Sequence, residues 1–182
     1  MWQAPRIQHC KNCGSAVVYR LPDDGDTRER AVCAQCHTIH YENPLNVVGT
    51  LPVWHDKVLL CKRNIEPRFG KWTLPAGFME LGETVAQGAA RETREEAGAQ
   101  FEMLELFSLL NVVRVGQVHF FYRARLTSDQ FDPGHETQEA RLFAEHEIPW
   151  DDLAFRTVRE TLRLFFADAK TQRFDFHQID ID

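Results

Sequence analysis

No stretch of 18 consecutive apolar residues occurs in this chain of 182. A helix that crosses a bilayer needs about 20 such residues, so neither a membrane span nor a membrane partner is expected. Basic excess is missing too: 21 lysines and arginines face 27 aspartates and glutamates, for a net charge of −6. A broad cationic face is therefore not expected and nucleic acid is not an expected partner, although a net count leaves room for a local patch. The opening Met1-Trp2-Gln3-Ala4-Pro5 lacks the basic start and apolar stretch of a secretory signal. Cysteine is scarce at five residues, four of them in two C-x2-C pairs and the fifth, Cys61, inside an apolar segment. That arrangement argues against a disulfide framework and for one metal site plus a core thiol in a reducing compartment. A cytoplasmic location is the expectation.

What is present suits one full domain with a small appendage. The chain is 43% hydrophobic and 26% charged, ordinary values for a globular protein of this length. The appendage, residues 1–42, holds Cys10-Lys11-Asn12-Cys13-Gly14 and Cys33-Ala34-Gln35-Cys36-His37. Between the pairs lies the turn signal Pro22-Asp23-Asp24-Gly25-Asp26. This looks like a zinc ribbon, two thiolate knuckles joined by a hairpin, with Cys10, Cys13, Cys33 and Cys36 as ligands. Four soft sulfurs in a tetrahedron prefer zinc, and so short a segment folds on metal-binding energy. Iron is the rival metal for the same ligands. His9, His37 and His40 flank the cysteines, but four thiolates already complete a shell. With no basic excess or interleaved aromatics in residues 10–36, the ribbon reads as structural.

Residues 43–182 carry the chemistry. Gly77 and Glu83 precede the run Arg91-Glu92-Thr93-Arg94-Glu95-Glu96-Ala97-Gly98-Ala99. On an α-helix Glu92, Glu95 and Glu96 stand at i, i+3 and i+4 and share one face. Like charges so placed repel, and three together call for a cation beyond what Arg91 and Arg94 supply. Oxygen donors of this kind suit magnesium or manganese. Leu74-Pro75-Ala76-Gly77 adds a tight turn that feeds the helix from a fixed position. A solvated acidic helix face would explain the charges but not that turn.

The flanking segments read as alternating strands and helices. Gly49–Trp54 and Lys57–Arg63 flank His55-Asp56 as a hairpin, and residues 64–71 form a loop containing Pro67 and Gly70. A helix is expected from about Thr84 to Ala97, ending at Gly98. Strands follow over residues 105–115 and 117–126, and a second amphipathic helix over 155–170, with Val158, Leu162, Phe165 and Phe166 at helical spacing.

The spacing G-x5-E-x7-R-E-U-x-E-E-x-G-U, with Thr93 and Ala99 in slots usually aliphatic, resembles the Nudix box. The resemblance implies an α/β fold, the Nudix α/β/α sandwich with a mixed sheet, and hydrolysis of a nucleoside diphosphate linked to another moiety. It implies that Glu92, Glu95 and Glu96, with the main-chain carbonyl of Ala76, hold catalytic Mg2+ or Mn2+. Arg91 would orient these carboxylates by pairing with Glu83 or a neighbour, and Glu92 would take the proton of the attacking water. A further glutamate beyond the box is often a base or ligand in the family, and Glu136 and Glu139 are the candidates, with Glu139 preferred. Arg63, Arg68, Lys71 and Arg114 are candidates for phosphate contact, and Phe69 and Trp72 for stacking on a flat ring.

A zinc ribbon ahead of a Nudix domain is also similar to the NADH pyrophosphatases, but residues 100–130 contain nothing like their S-Q-P-W-P-F-P string. Asn43-Pro44, Leu59–Ile65, Trp72–Gly77 and Ala140-Arg141-Leu142-Phe143 instead resemble the plant FAD pyrophosphatases and their bacterial relatives. That implies cleavage of FAD to FMN and AMP, or of ADP-ribose to ribose 5-phosphate and AMP. The alternatives are NADH or a dinucleoside polyphosphate, an RNA 5′ end, or a non-catalytic nucleotide-binding role. A small-molecule nucleotide is the expected partner, and a homodimer is open to the chain as it is to many relatives.

Overall fold

The computed structural model describes residues 6–181; Met1–Pro5, with the start read above for a signal, and Asp182 lie outside the described residues. The chain divides into two compact units, residues 1–44 and 45–182.

The first unit is a three-stranded antiparallel sheet in the order β1 (Val17–Arg20), β2 (Arg30–Cys33), β3 (Ile39–His40). The β1–β2 connection contains the anticipated turn. Gly25 takes φ +95°, and the Asp24 carboxylate accepts from the Asp26 amide at 3.0 Å. The apolar content that could hold this unit together is small: Ala31, Val32, Cys10 and Cys33 are its buried hydrophobic residues.

In the second unit the strands are β4 (Leu45–Trp54), β5 (Lys57–Arg63), β6 (Trp72–Thr73), β7 (Ala76–Phe78), β8 (Phe101–Val112), β9 (Gln117–Leu126), β10 (Thr137–Phe143) and β11 (His177–Asp180). The helices are α1 (Val85–Ala97) and α2 (Arg156–Thr171). Six strands follow the order β10-β5-β4-β9-β8-β11, with β6 attached to β5 and β7 to β4. The sheet is mixed: β4 runs parallel to β9 and β8 to β11, while β8–β9 and β10–β5 are antiparallel. Each face is covered by apolar contacts. Leu51, Phe107, Phe121, Phe143, Val158, Leu162, Phe165 and Phe166 form the larger cluster, which includes the apolar stripe of α2. Leu59, Cys61, Ala97, Ala99 and Leu126 form a smaller one at the C-terminal end of α1. The α/β/α sandwich with a mixed sheet is thus the fold.

Several boundaries differ from the sequence reading. The hairpin about His55-Asp56 is there, but β4 begins at Leu45, because Val47–Gly49 pair with β7 and Leu45–Val53 with β9. The strand expected at 105–115 runs over 101–112 and ends in a short 3-10 turn at Val113–Val115, closed by Gly116 at φ +63°. No alternation in His177–Asp180 foretold β11; its parallel pairing with β8 exists only once α2 has returned the chain to that edge.

Candidate active site

Helix α1 places the carboxylates, and its ends are fixed by local chemistry. Thr84 caps it: its hydroxyl accepts from the Gln87 amide at 3.2 Å, and the Gln87 side chain accepts from the Thr84 amide at 2.8 Å. Reciprocal bonds of this sort satisfy two of the free donors at a helix start. Gly98 closes the other end at φ +59°, its amide donating to the Arg94 carbonyl. A side chain there would also strike the main chain of Asp132. Thr93, in a slot usually aliphatic, is fully buried and lies 2.7 Å from Thr50 of β4, while its hydroxyl donates to the Ala89 carbonyl at 2.7 Å. One polar contact therefore pins α1 to the sheet where a branched aliphatic side chain would otherwise pack.

From this helix the three glutamates enter three different environments. Glu96 is 7% exposed, and its Oε2 accepts from the Ala76 amide at 3.0 Å. Glu92 keeps 12% of its side chain exposed and Glu95 60%. Burial raises the Glu96 pKa to about 8, and it raises that of Glu92 as well; the charges of Glu92 and Glu136 add to the first effect, those of Glu95 and Glu136 to the second. Arg91 is the hub. It donates to both oxygens of Glu83 at 3.1 and 2.9 Å, to Glu92 Oε1 at 2.7 Å, to Glu95 Oε2 at 3.1 Å and to the Phe78 carbonyl at 3.2 Å. This fork holds Glu83 below the usual carboxylate range, with the Glu80 amide assisting.

Two glycines permit the close approach. A Cβ on Gly77 would land on the Glu92 carboxylate, and one on Gly88 would come within 2.6 Å of Glu83 Oε1 and 2.8 Å of Val48 Cγ2. The turn before the helix is therefore glycine because a carboxylate occupies the space a side chain would take.

These groups line a cleft of about 910 Å³. Arg91, Glu92, Glu95 and Glu96 form one wall with Ala76 and Gly77; Arg63, His119, Glu136, Phe155 and Thr157 are among the other lining residues. Glu136 reaches the cleft because Asn64 ties its loop to the end of β5, donating from Nδ2 to the His135 carbonyl at 2.8 Å and from the amide to the Glu136 carbonyl at 2.7 Å.

Several sequence candidates lie elsewhere. Glu139 is exposed within β10, 3.9 Å from Arg141, and does not line the cleft. A bulge between Thr137 and Glu139 breaks the alternation that would have aimed it with Thr137. Trp72 is 6% exposed and packs edge-on against Phe143, so it is a core ring. Phe69 is exposed on its loop and Arg114 on the β8–β9 turn, and neither lines the cleft. Arg68 is absent from the cleft wall as well, and Lys71 is bound to Asp152 at 2.5 Å. The aromatic rings that do line it are Phe78, 54% exposed, Phe121 and Phe155. Sequence reasoning missed Phe78, although it directly follows Gly77, and it missed His119, within the strand expected over 117–126.

The four cysteines of the ribbon do converge. Cys10–Cys36, Cys13–Cys33 and Cys13–Cys36 sulfurs are each 3.5 Å apart, and all four ligand atoms lie within 4.8 Å of one another. Those separations are too long for disulfides and close to the about 3.8 Å edge of a zinc–sulfur tetrahedron built on 2.3 Å bonds. Amides of Asn12, Gln35 and Cys36 point at cysteine sulfurs at 3.4 Å, the bonding that stabilises thiolates. The cluster suits a structural zinc site. Among the described residues no other group of three or more such ligands closes to this distance, nor is any helix long and apolar enough to cross a membrane.

A cleft lined by helix-borne carboxylates in a sandwich of this kind defines a Nudix-type hydrolase fold. The NUDIX domain family matches residues 44–165 and the Nudix N-terminal family residues 8–42, and the chain belongs to the Nudix family. A NUDIX hydrolase from Nitrosomonas europaea superposes with a TM-score of 0.92 at 48% identity, over 96% of this chain and 99% of that one. A protein of Photobacterium profundum named NAD-capped RNA hydrolase NudC is 29% identical over 90% of this chain, which spans 61% of its length. An ADP-ribose pyrophosphatase of Methanocaldococcus jannaschii is 29% identical over 60% of this chain and 67% of its own. The expectation that nucleic acid is not a partner does not stand, because relatives that match most of the chain are named for an RNA substrate. Net charge misled because it averages over the molecule, whereas one cleft and a few cations can grip a 5′ end.

Proposed function

We propose that this chain hydrolyses the diphosphate bridge of a nicotinamide dinucleotide, free as NADH or carried as the cap of an RNA. The similarity to proteins named NAD-capped RNA hydrolase, one of them over 90% of the chain, is the observation that favours it over FAD. It outweighs the missing S-Q-P-W-P-F-P string that ranked NADH below FAD on sequence. ADP-ribose is the second reading, favoured by the relative of that name.

Glu92, Glu95 and Glu96 would hold a divalent cation, with Glu136 across the cleft and Ala76 beside Glu96. The fit rests on chemistry already on the page: buried carboxylates whose mutual repulsion is only partly offset by Arg91. When bound, such a cation offsets the charge of the diphosphate and acidifies water. The chain's own groups do the rest. Arg91 holds Glu92 by Oε1, which leaves Oε2 free to take the proton of the attacking water. Glu83 fixes Arg91, and the Ala76 amide fixes Glu96. Arg63, with its Nε on the Pro67 carbonyl at 2.9 Å and its guanidinium over the Phe155 ring, faces the same cleft as a phosphate contact. Phe78 offers an exposed ring for a base.

The test is product analysis by chromatography after incubating the protein and magnesium with NADH, NAD-capped RNA, ADP-ribose and FAD. AMP with reduced nicotinamide mononucleotide from NADH, or a 5′-monophosphate RNA from the capped one, is the expected result. Preference for FAD or ADP-ribose rejects the nicotinamide reading.

A further inference from the structure

Two side chains in the cleft wall each carry a buried polar atom with nothing to bond. His119 of β9 is 8% exposed and Thr157, in the first turn of α2, 4%; both line the cleft. Neither His119 Nδ1 nor Thr157 Oγ1 has a hydrogen-bond partner. Buried polar atoms are nearly always paired, so two left open in one cleft mark hydrogen-bonding capacity kept for something that enters it.

The local structure sets what each can do. His119 Nε2 stands 3.0 Å from Gln117 Oε1, an acceptor, so the ring proton sits on Nε2 and Nδ1 presents a lone pair. Ser108 Oγ and Thr161 Oγ1, 3.1 Å apart, pin α2 over the sheet where Ser108 pairs with Phe121. Thr157 is one helical turn back from Thr161, and His119 is one strand repeat back from Phe121. No side-chain cap closes the start of α2, where Phe155 and Thr157 border the cleft. The threonine hydroxyl both donates and accepts, whereas the His119 Nδ1 lone pair only accepts.

We propose that His119 and Thr157 determine specificity by hydrogen bonding, through Nδ1 and Oγ1, to an uncharged polar group, an amide or a sugar hydroxyl, on the substrate moiety beyond the diphosphate. This rests on the reading of the cleft as the site of a dinucleotide. Burial keeps the His119 ring neutral, with its pKa down at about 4, so it has no charge to offer an anion. Removing either group should weaken binding; Thr157→Val should leave the free protein at least as stable, because it deletes an unpaired buried atom rather than a bond, whereas His119→Leu also removes the Nε2 bond to Gln117.

The experiment measures the affinity of the wild type, His119→Leu and Thr157→Val for NADH and for ADP-ribose by calorimetry, with calcium replacing magnesium. Melting temperatures without ligand and wild-type turnover with magnesium are recorded alongside. Each variant should bind NADH about tenfold more weakly, as loss of one hydrogen bond predicts, and Thr157→Val should melt no lower than the wild type. An equal loss for ADP-ribose upholds the proposal with the bond on a ribose hydroxyl, and a loss confined to NADH upholds it with the bond on the carboxamide. Affinities within twofold of wild type for both ligands overturn it, as does a wild type that binds neither. A weakened affinity accompanied by a large fall in melting temperature in both variants overturns it in favour of a packing role. Wild-type binding without turnover rejects the pyrophosphatase reading and leaves this inference in place.

Discussion

At the scale of single residues, the cleft depends on the absence of a side chain as much as on the presence of others. Gly77→Ala places a methyl group on the Glu92 carboxylate. The carboxylate end can swing aside, so the fold should survive, but Glu92 leaves the position that Arg91 gives it. A displacement of this size should lower kcat about 100-fold with an unchanged circular dichroism spectrum, and activity within twofold of wild type would reject the role given to Glu92. Glu96 makes a prediction about pH. Its pKa is raised to about 8 in the fold, against 4.5 for an unperturbed glutamate. Between those values the folded chain keeps a proton that the unfolded chain has released, so this group lowers stability as pH rises through the window. Below it the contribution is fully present, and above about pH 8 it is lost. The melting temperature of the protein without magnesium should fall from pH 5.5 to 8.5, and Glu96→Gln should flatten that fall; an identical slope in the variant would show that other groups cause it. The spacing of the glutamates was legible in the sequence, whereas their unequal burial was not, since helical periodicity gives a face and not what covers it.

Among the elements, α1 matters most, because a helix that frays or rotates takes the carboxylates with it. Its capping box at Thr84 is readable from Thr84-Val85-Ala86-Gln87, and its end from Gly98. Thr84→Ala should cost about 1 kcal/mol and lower the melting temperature by about 2–4 °C. Measured with thermal denaturation, no change would mean that α1 is held by the sheet alone. The element that sequence placed least well was β10. Glu139 was preferred over Glu136 on sequence, but within β10, where the register shifts between Thr137 and Glu139, it is exposed, while the loop tied by Asn64 brings Glu136 to the cleft. Bulges and loop ties are set by contacts between distant segments, here 71 residues apart, so nothing local announces them.

Over the whole molecule, the two units rest on different physics. Unit 45–182 has a large apolar core, while the ribbon has a handful of buried side chains and four converging thiols. A strong zinc chelator should therefore abolish protection from hydrogen exchange in residues 8–42 and leave β4, β8 and β9 protected. Loss of protection throughout both units would show that the catalytic unit depends on the metal, and no loss anywhere would deny the ribbon its zinc.

The sequence by itself determined the family, the cysteines that converge in the ribbon, the shared helix face of the three glutamates and the course of the main helices, because these follow from residue type at short spacing. Each C-x2-C pair makes one knuckle, and glutamates at i, i+3 and i+4 must share a helix face. Only the tertiary structure decided which candidates reach the cleft. It withdrew Trp72 into the core, left Phe69, Arg114 and Glu139 outside, and brought in Phe78, His119, Glu136 and Thr157. Membership of a cleft depends on how β9, α2 and the loop before β10 pack from distant parts of the chain. That packing is settled by burial and register summed over the sheet, and no short stretch of sequence carries it.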